Sequence, residues 1–124
     1  MSRGLGDVYK RQVLYDTNGI KITYKGLDNH DFWGSKIKLL IENNTDRSYT
    51  IQVRDFSANG FMIRGLISAD VAAGKKINDG ITIKSYDLEE NNISSIENVE
   101  FTFHIFNWDD WDDSFDSDII YLEF

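Results

Sequence analysis

Residues 98–124 read NVEFTFHIFNWDDWDDSFDSDIIYLEF, and this stretch decides the fold class. From Asn98 to Phe106 apolar and polar residues alternate, which is typical of a β-strand with one buried and one solvated face. The run NWDDWDDSFDSD follows as an acidic, aromatic loop, and alternation resumes from Ile119 to Phe124. The stretch therefore predicts a β-hairpin whose tip carries aspartate and tryptophan side chains.

The same alternation recurs upstream, in short segments separated by turn residues. Asn18-Gly19 and Asn59-Gly60 each lie between apolar runs, and this pair favours a tight hairpin turn because both residues tolerate positive φ. The spacing from Asp87 to Glu90 matches a capping box and predicts one helical turn near residues 87–92, ended by Asn92 in the left-handed conformation. The predicted strands are 13–15, 20–27, 36–42, 49–56, 61–63, 67–71, 76–84, 98–106 and 119–124. About nine short strands without a long helix predict an all-β chain folded as an antiparallel β-sandwich.

The core of this sandwich is predicted from the apolar face of each strand. The residues expected there are Ile22, Ile37, Leu39, Ile41, Ile51, Val53, Ile81, Ile83, Phe101, Phe103 and Ile105. The chain has no cysteine, so this core has to hold the domain together without a disulfide. Eight Phe, six Tyr and three Trp supply large rings for it.

The first twelve residues, MSRGLGDVYKRQ, do not share the alternation of the remainder. This string resembles translated sequencing adaptor along its whole length. We therefore expect residues 1–12 to be a non-native segment and residues 13–124 to form one sandwich domain. The true N-terminus, with any signal peptide, lipid anchor or upstream domain, is then expected to be missing.

Charge is divided unevenly along the chain. All 13 Lys and Arg lie before Ser85, whereas 12 of the 21 Asp and Glu follow it, and the net charge is −8. An acidic surface repels phosphate groups, so nucleic acids and anionic membrane surfaces are disfavoured as partners. No apolar run approaches the ~18 residues of a membrane span, so direct membrane insertion of this domain is not expected.

Five segments in the same order carry a family resemblance: FWGSKIKLLIENN, VRDFSANGFMI, ADVAAGKK, DLEENNI and WDDSFDSDII. Together they resemble the immunoglobulin-like sandwich domains of unknown function in secreted proteins and surface lipoproteins of Gram-positive gut bacteria. The resemblance covers residues 13–124. It implies an immunoglobulin-like sandwich and an extracellular or cell-surface location, and it carries over no catalytic residue.

Motifs for catalysis are few in this sequence. There is no G-x-S-x-G nucleophile elbow and no cysteine nucleophile, and the Gly74-Lys75 pair lacks the flanking residues of a phosphate-binding loop. His30 is expected in a loop beside Asp31. His104 lies on the polar face of its strand, where a solvated cross-strand pair is the expected role. We therefore predict that the chain is not an enzyme.

The acidic loop holds the candidate binding patch, which comprises Trp108, Asp109, Asp110, Trp111, Asp112 and Asp113. These rings, with Trp33 elsewhere, form either an interaction surface or a platform for sugar rings, since aromatic faces carry apolar area and nearby carboxylates accept hydrogen bonds from hydroxyls. The simpler alternative is that the rings plug the open end of the sandwich. Both interpretations are open at this point.

A calcium site is the alternative use of the same carboxylates. Asp112, Ser114, Asp116 and Glu123 match the first, third, fifth and twelfth positions of a calcium-binding loop. Ser117 stands where that loop requires glycine, and the following residues continue as a strand instead of an exit helix. No metal or other cofactor is therefore expected, with Ca²⁺ as the less favoured possibility.

Taken together, these patterns predict a non-catalytic, secreted or cell-surface module that serves as a spacer or as a protein-interaction domain. The alternatives are a carbohydrate-binding module that uses Trp108 and Trp111, or a calcium-binding sandwich domain. The expected partner is accordingly an unidentified protein or glycan.

Overall fold

The computed structural model describes residues 12–30 and 34–124, in which ten strands form two antiparallel sheets packed as a β-sandwich. The prediction of an all-β sandwich is confirmed. The strands are β1 (Gln12–Thr17), β2 (Ile20–His30), β3 (Gly34–Asn43), β4 (Tyr49–Ala58), β5 (Phe61–Met62), β6 (Ala69–Val71), β7 (Lys76–Lys84), β8 (Asn98–Asn107), β9 (Asp110–Asp116) and β10 (Ile120–Glu123). The described residues contain one helix, α1 (Ser85–Glu90), and none that has the length and apolar character to cross a membrane. Residues 1–11 of the predicted non-native segment lie outside the described residues.

The chain crosses from one sheet to the other three times. The first sheet has the order β1-β2-β3-β7, and the second has the order β10-β8-β4-β5, where β6 also pairs with β4 and β9 pairs with β8. The chain changes sheet between β3 and β4, between β6 and β7, and between β7 and β8. Strand β8 is therefore central in the second sheet, and two successive strands, β9 and β10, cover its outer edge.

The core lies between the sheets and is close to the predicted one. Of the eleven residues predicted there, all except Val53 are buried. Val53 is only partly buried, because it borders an open crevice beside Gly65 and Leu66. Beyond it a bulge at Asp55, with φ of 54°, shifts the register of β4, and Phe56 then returns to the core.

Both predicted hairpin turns are confirmed. Asn18 and Gly19 have φ of 57° and 79°, and Asn59 and Gly60 have φ of 50° and 85°. Two consecutive residues at positive φ are the requirement of the type I′ turn, whose twist matches that of the strands it joins.

The helical turn is confirmed, but the capping box is wrong. α1 begins at Ser85, and Lys84 at its N-cap makes no side-chain capping bond. Asp87 lies inside the first turn, where its carboxylate accepts two 3.0 Å hydrogen bonds from the guanidinium of Arg64. The carboxylate of Asp87, which the local spacing assigns to the helix cap, therefore binds Arg64, a residue distant in sequence, instead. At the other end Asn92, with φ of 57°, ends the helix in the left-handed conformation as predicted.

Candidate functional site

The acidic segment is a strand rather than the loop predicted for residues 107–118. Only Trp108 and Asp109 form the turn after β8, and β9 then runs antiparallel to β8 with Phe115 opposite Ile105. Phe115 packs against the core and its ring lies 5.6 Å from that of Tyr49. The prediction failed because so many aspartates in succession are typical of a solvated loop, whereas the carboxylates of Asp110, Asp113 and Asp116 have partners on neighbouring segments.

Four aromatic rings follow one another along this hairpin. The imidazole of His104 stacks on Phe106 with centroids 5.2 Å apart, Phe106 meets Trp108 edge-on at 4.8 Å, and Trp108 meets Trp111 edge-on at 6.3 Å. Phe106 is buried, whereas Trp108 is 57% exposed and Trp111 is 74% exposed. The interpretation of these tryptophans as a plug for the open end of the sandwich is therefore wrong.

The rings border a groove of about 380 Å³ on the outer face of the second sheet. Register explains why its residues meet: Gln52 on β4 lies opposite His104 on β8, which lies opposite Asp116 on β9. This concavity, the aromatic groove, is lined by Gln52, Arg54, His104, Phe106, Trp108, Trp111 and Ser114. The sheet forms its floor, and the two tryptophans at the hairpin tip rise beside it.

Arg47, Ser48 and Tyr49, at the β3–β4 turn and the start of β4, bind the hairpin, and these contacts form a clasp that holds the start of β9. The guanidinium of Arg47 forms ion pairs with Asp110, at 3.3 Å, and with Asp113. The hydroxyl of Tyr49 donates to the Asp113 carboxylate at 2.8 Å, and the side-chain amide of Asn107 donates to the carbonyl of Ser48 at 2.8 Å. These contacts lie on either side of Trp108 and Trp111 in sequence, so they fix the backbone that presents both rings.

Sequence reasoning missed most residues that build the groove and the clasp. The sequence analysis placed all six patch residues on the hairpin, and in the structure the ring centroids of Trp108 and Trp111 lie 6.3 Å apart. The aspartates of the patch, however, fall into two groups in the structure. Asp110 and Asp113 form ion pairs with Arg47, whereas Asp109 and Asp112 are more exposed. Gln52 and Arg54 could have been found from the alternation of β4, but their position beside β8 depends on strand pairing.

The four proposed calcium ligands are not brought together. Glu123 pairs with Asn98 and Asp116 pairs with His104, six residues away on the same strand, so the backbone positions of the two acidic residues are about 20 Å apart. Among residues 12–30 and 34–124, no three Asp, Glu or His side chains are grouped to hold a metal ion. A calcium site made of these four residues therefore does not form, and binding of Ca²⁺ elsewhere on the chain stays untested.

His104 forms a cross-strand pair, as predicted, but it is less solvated than expected. Its Nδ1 lies 2.6 Å from the carboxylate of Asp116, and the imidazole is 16% exposed. This contact leaves Nε2 as the ring nitrogen available to a ligand in the groove. In the described part of the chain no hydrogen bond joins His104 to a serine hydroxyl, which is the contact that a nucleophile and its base make.

Two other concavities are open on the surface. One of about 290 Å³ lies between α1 and the start of β3, and one of about 580 Å³ lies beside Gly65 to Ser68. Among the described residues, neither is lined by an aromatic side chain. Trp33 and the side chain of His30 lie outside the described residues, so a contribution of Trp33 to a sugar platform stays a prediction.

The Tyr49 hydroxyl gives the clasp a pH dependence. Burial, followed by the hydrogen bond to Asp113, raises the pKa of Tyr49 above its usual value. A tyrosine with a raised folded-state pKa stabilises the fold while neutral; this contribution is present below the unfolded pKa of about 10 and is lost as pH rises through the folded pKa. We expect the free energy of unfolding to fall above pH ~10, and Tyr49→Phe to reduce that fall. Urea unfolding across the alkaline range measures it, and an identical alkaline slope in Tyr49→Phe would contradict the assignment.

Comparison with known protein families and with curated proteins finds no match to this chain. The family resemblance and the function drawn from it therefore stay predictions.

Proposed function

We propose that this chain is a non-catalytic binding module of a secreted or cell-surface protein, and that the aromatic groove is its contact surface. The observation that carries the proposal is the exposure of Trp108 and Trp111 next to the polar lining of the groove. Trp side chains are highly buried on average, so two adjacent exposed rings leave apolar area in water that a ligand can cover. This favours a binding module over a spacer, which has no use for such a surface.

The clasp supports the same proposal. Arg47, Tyr49 and Asn107 tie both sides of the hairpin tip to the body of the sandwich. A site that is already held in place loses less conformational entropy when a ligand binds, and more of the contact energy is left as affinity. The groove therefore has the pre-formed character of a recognition site.

The immunoglobulin-like type and the surface location belong to this proposal too. Strands β2, β3 and β7 lie side by side in the order of strands A, B and E of that fold, and β10, β8 and β4 lie in the order G, F and C. In the constant type a fourth strand, D, follows E, whereas here β1 is added at the opposite edge, beside β2. The strand order supports the resemblance, and the location depends on the resemblance alone.

The test is a double variant, Trp108→Ala with Trp111→Ala. Because both rings are largely exposed, we expect its melting midpoint to stay within about 4 °C of the parent, which corresponds to ~1 kcal/mol for a domain of this size. Binding should be lost against a panel of soluble oligosaccharides and short peptides, measured by calorimetry. Tyr86→Ala is the matched control, since Tyr86 is 63% exposed on α1 and does not line the groove.

Two results would contradict the proposal. One is that no compound of the panel binds the parent protein, and the other is that a compound binds the double variant as tightly as the parent. A large loss of stability in the double variant would instead assign the rings a structural role.

A further inference from the structure

We infer that the aromatic groove takes a neutral oligosaccharide, an inference that rests on the proposed function and names its ligand class. Size is the first reason. The groove of about 380 Å³ lies in the range of small-ligand sites, which is roughly 300–1,000 Å³. A stable contact with another folded protein covers about 800 Å² on each partner, which requires a broader surface than two rings and five neighbours. The groove therefore fits a chain segment of a few sugar rings.

The chemistry of the lining is the second reason. Trp108 and Trp111 are inclined at 77° to each other, so one ring can lie flat against a ligand while the other borders it. A pyranose ring has an apolar C–H face and a rim of hydroxyl groups. The indole rings match that face, while the amide of Gln52, the hydroxyl of Ser114 and Nε2 of His104 match the rim.

The surrounding charge indicates a neutral ligand. Arg54 is the one Lys or Arg among the groove-lining residues, and its side chain has no hydrogen bond or ion pair within the described residues. Asp112 and Asp116 stand exposed on β9 beside the groove, and Asp109 is exposed at its tip. Asp116 contacts the lining residue His104, and Asp109 and Asp112 directly follow the two tryptophans, so an anionic sugar in the groove is repelled at moderate salt, where charges act over ~10 Å. Hydroxyl groups, in contrast, can donate to them.

The sheet itself disfavours an extended peptide. Peptides that join a sheet do so at a free edge, where backbone N–H and C=O groups are unpaired. The groove lies on a sheet face whose strands β4, β8 and β9 are already paired with one another. A peptide there gains no backbone ladder, whereas a sugar needs none.

The experiment titrates the full chain with three classes of probe, followed by calorimetry and tryptophan fluorescence. The neutral sugars are cellohexaose, mannohexaose and xylohexaose, the anionic sugar is hexagalacturonate, and the third class is a random hexapeptide library. We expect a neutral sugar to bind and Trp111→Ala to weaken it by at least about tenfold. Tyr86→Ala should leave the affinity unchanged, and added sodium chloride should have little effect because no ion pair forms. Arg54→Gln should cost only a few-fold.

The outcomes separate this inference from the proposed function. If peptides alone bind, and Trp111→Ala abolishes their binding, the ligand class is wrong while the binding module stands. If hexagalacturonate alone binds, with strong salt dependence and a large loss in Arg54→Gln, the assignment of a neutral ligand is overturned. If no probe binds, or if replacing the tryptophans leaves the affinity unchanged, both proposals fail. Melting curves of each variant establish that it is folded.

Discussion

Phe103→Ala is expected to lower the free energy of unfolding by about 3–5 kcal/mol, the cost of removing a fully buried phenylalanine ring. The Phe103 side chain has no exposed surface, and its ring meets Phe101 edge-on at 5.1 Å and Tyr15 at 6.5 Å. The substitution opens a cavity at the centre of β8, between the two sheets. Since small domains are stable by only about 5–15 kcal/mol, this change brings the chain close to unfolding.

Urea unfolding of the parent and the variant measures the loss. Trp111→Ala is the control, because it also removes a large ring from the second sheet but one that is 74% exposed. We expect Phe103→Ala to lower the melting midpoint by more than about 12 °C and Trp111→Ala by less than about 4 °C. Equal shifts in the two variants would mean that the core does not lie where the structure has it.

Asn43→Asp is expected to destabilise the chain by about 2–4 kcal/mol at neutral pH, because buried polar groups without a partner cost about 1–3 kcal/mol each. Asn43 is fully buried at the end of β3. Its amide nitrogen donates to the carbonyls of Arg47, Val71 and Ala72 at 2.8, 2.9 and 3.2 Å, and its amide oxygen accepts from Thr45. A carboxylate at this position keeps the acceptor, loses both donors and faces three carbonyl oxygens.

The loss in Asn43→Asp should depend on pH. Burial raises the folded-state pKa of the new carboxyl group, so stability is retained below its unfolded pKa and is lost as pH rises through the folded value. Asn44→Asp is the matched control, since it makes the same chemical change at the next, exposed residue. Urea unfolding at acidic and neutral pH compares them, and a loss in Asn43→Asp no larger than in Asn44→Asp would contradict the buried network.

The parts of the fold that depend on local sequence could be predicted. Alternation identified nine of the ten strands, all except β9, and ten of the eleven predicted core residues, because a two-residue period fixes which side chains face inward. Asn18-Gly19 and Asn59-Gly60 identified two turns, because few residue pairs tolerate consecutive positive φ. These signals need no knowledge of which strand pairs with which.

The parts that depend on long-range partners could not be predicted. Asn43 directly follows the predicted strand 36–42 as one polar residue among several, yet its side chain joins the turn after β3 to the end of β6. Asp87 appeared as a helix cap, yet it binds Arg64. The candidate site follows the same rule: Trp108 and Trp111 were predictable as a patch, but Arg47 and Gln52 reach it through strand pairings that no local pattern contains.

The acidic hairpin also bears on how the protein behaves at high concentration. Strands β9 and β10 form the outer edge of the second sheet, and the backbone groups of an edge strand can pair with the edge of another copy. Asp112, Asp116 and Asp118 are exposed along this edge, so two copies that approach edge to edge meet with like charge. The same carboxylates that surround the groove therefore protect the sandwich from joining into continuous intermolecular sheets.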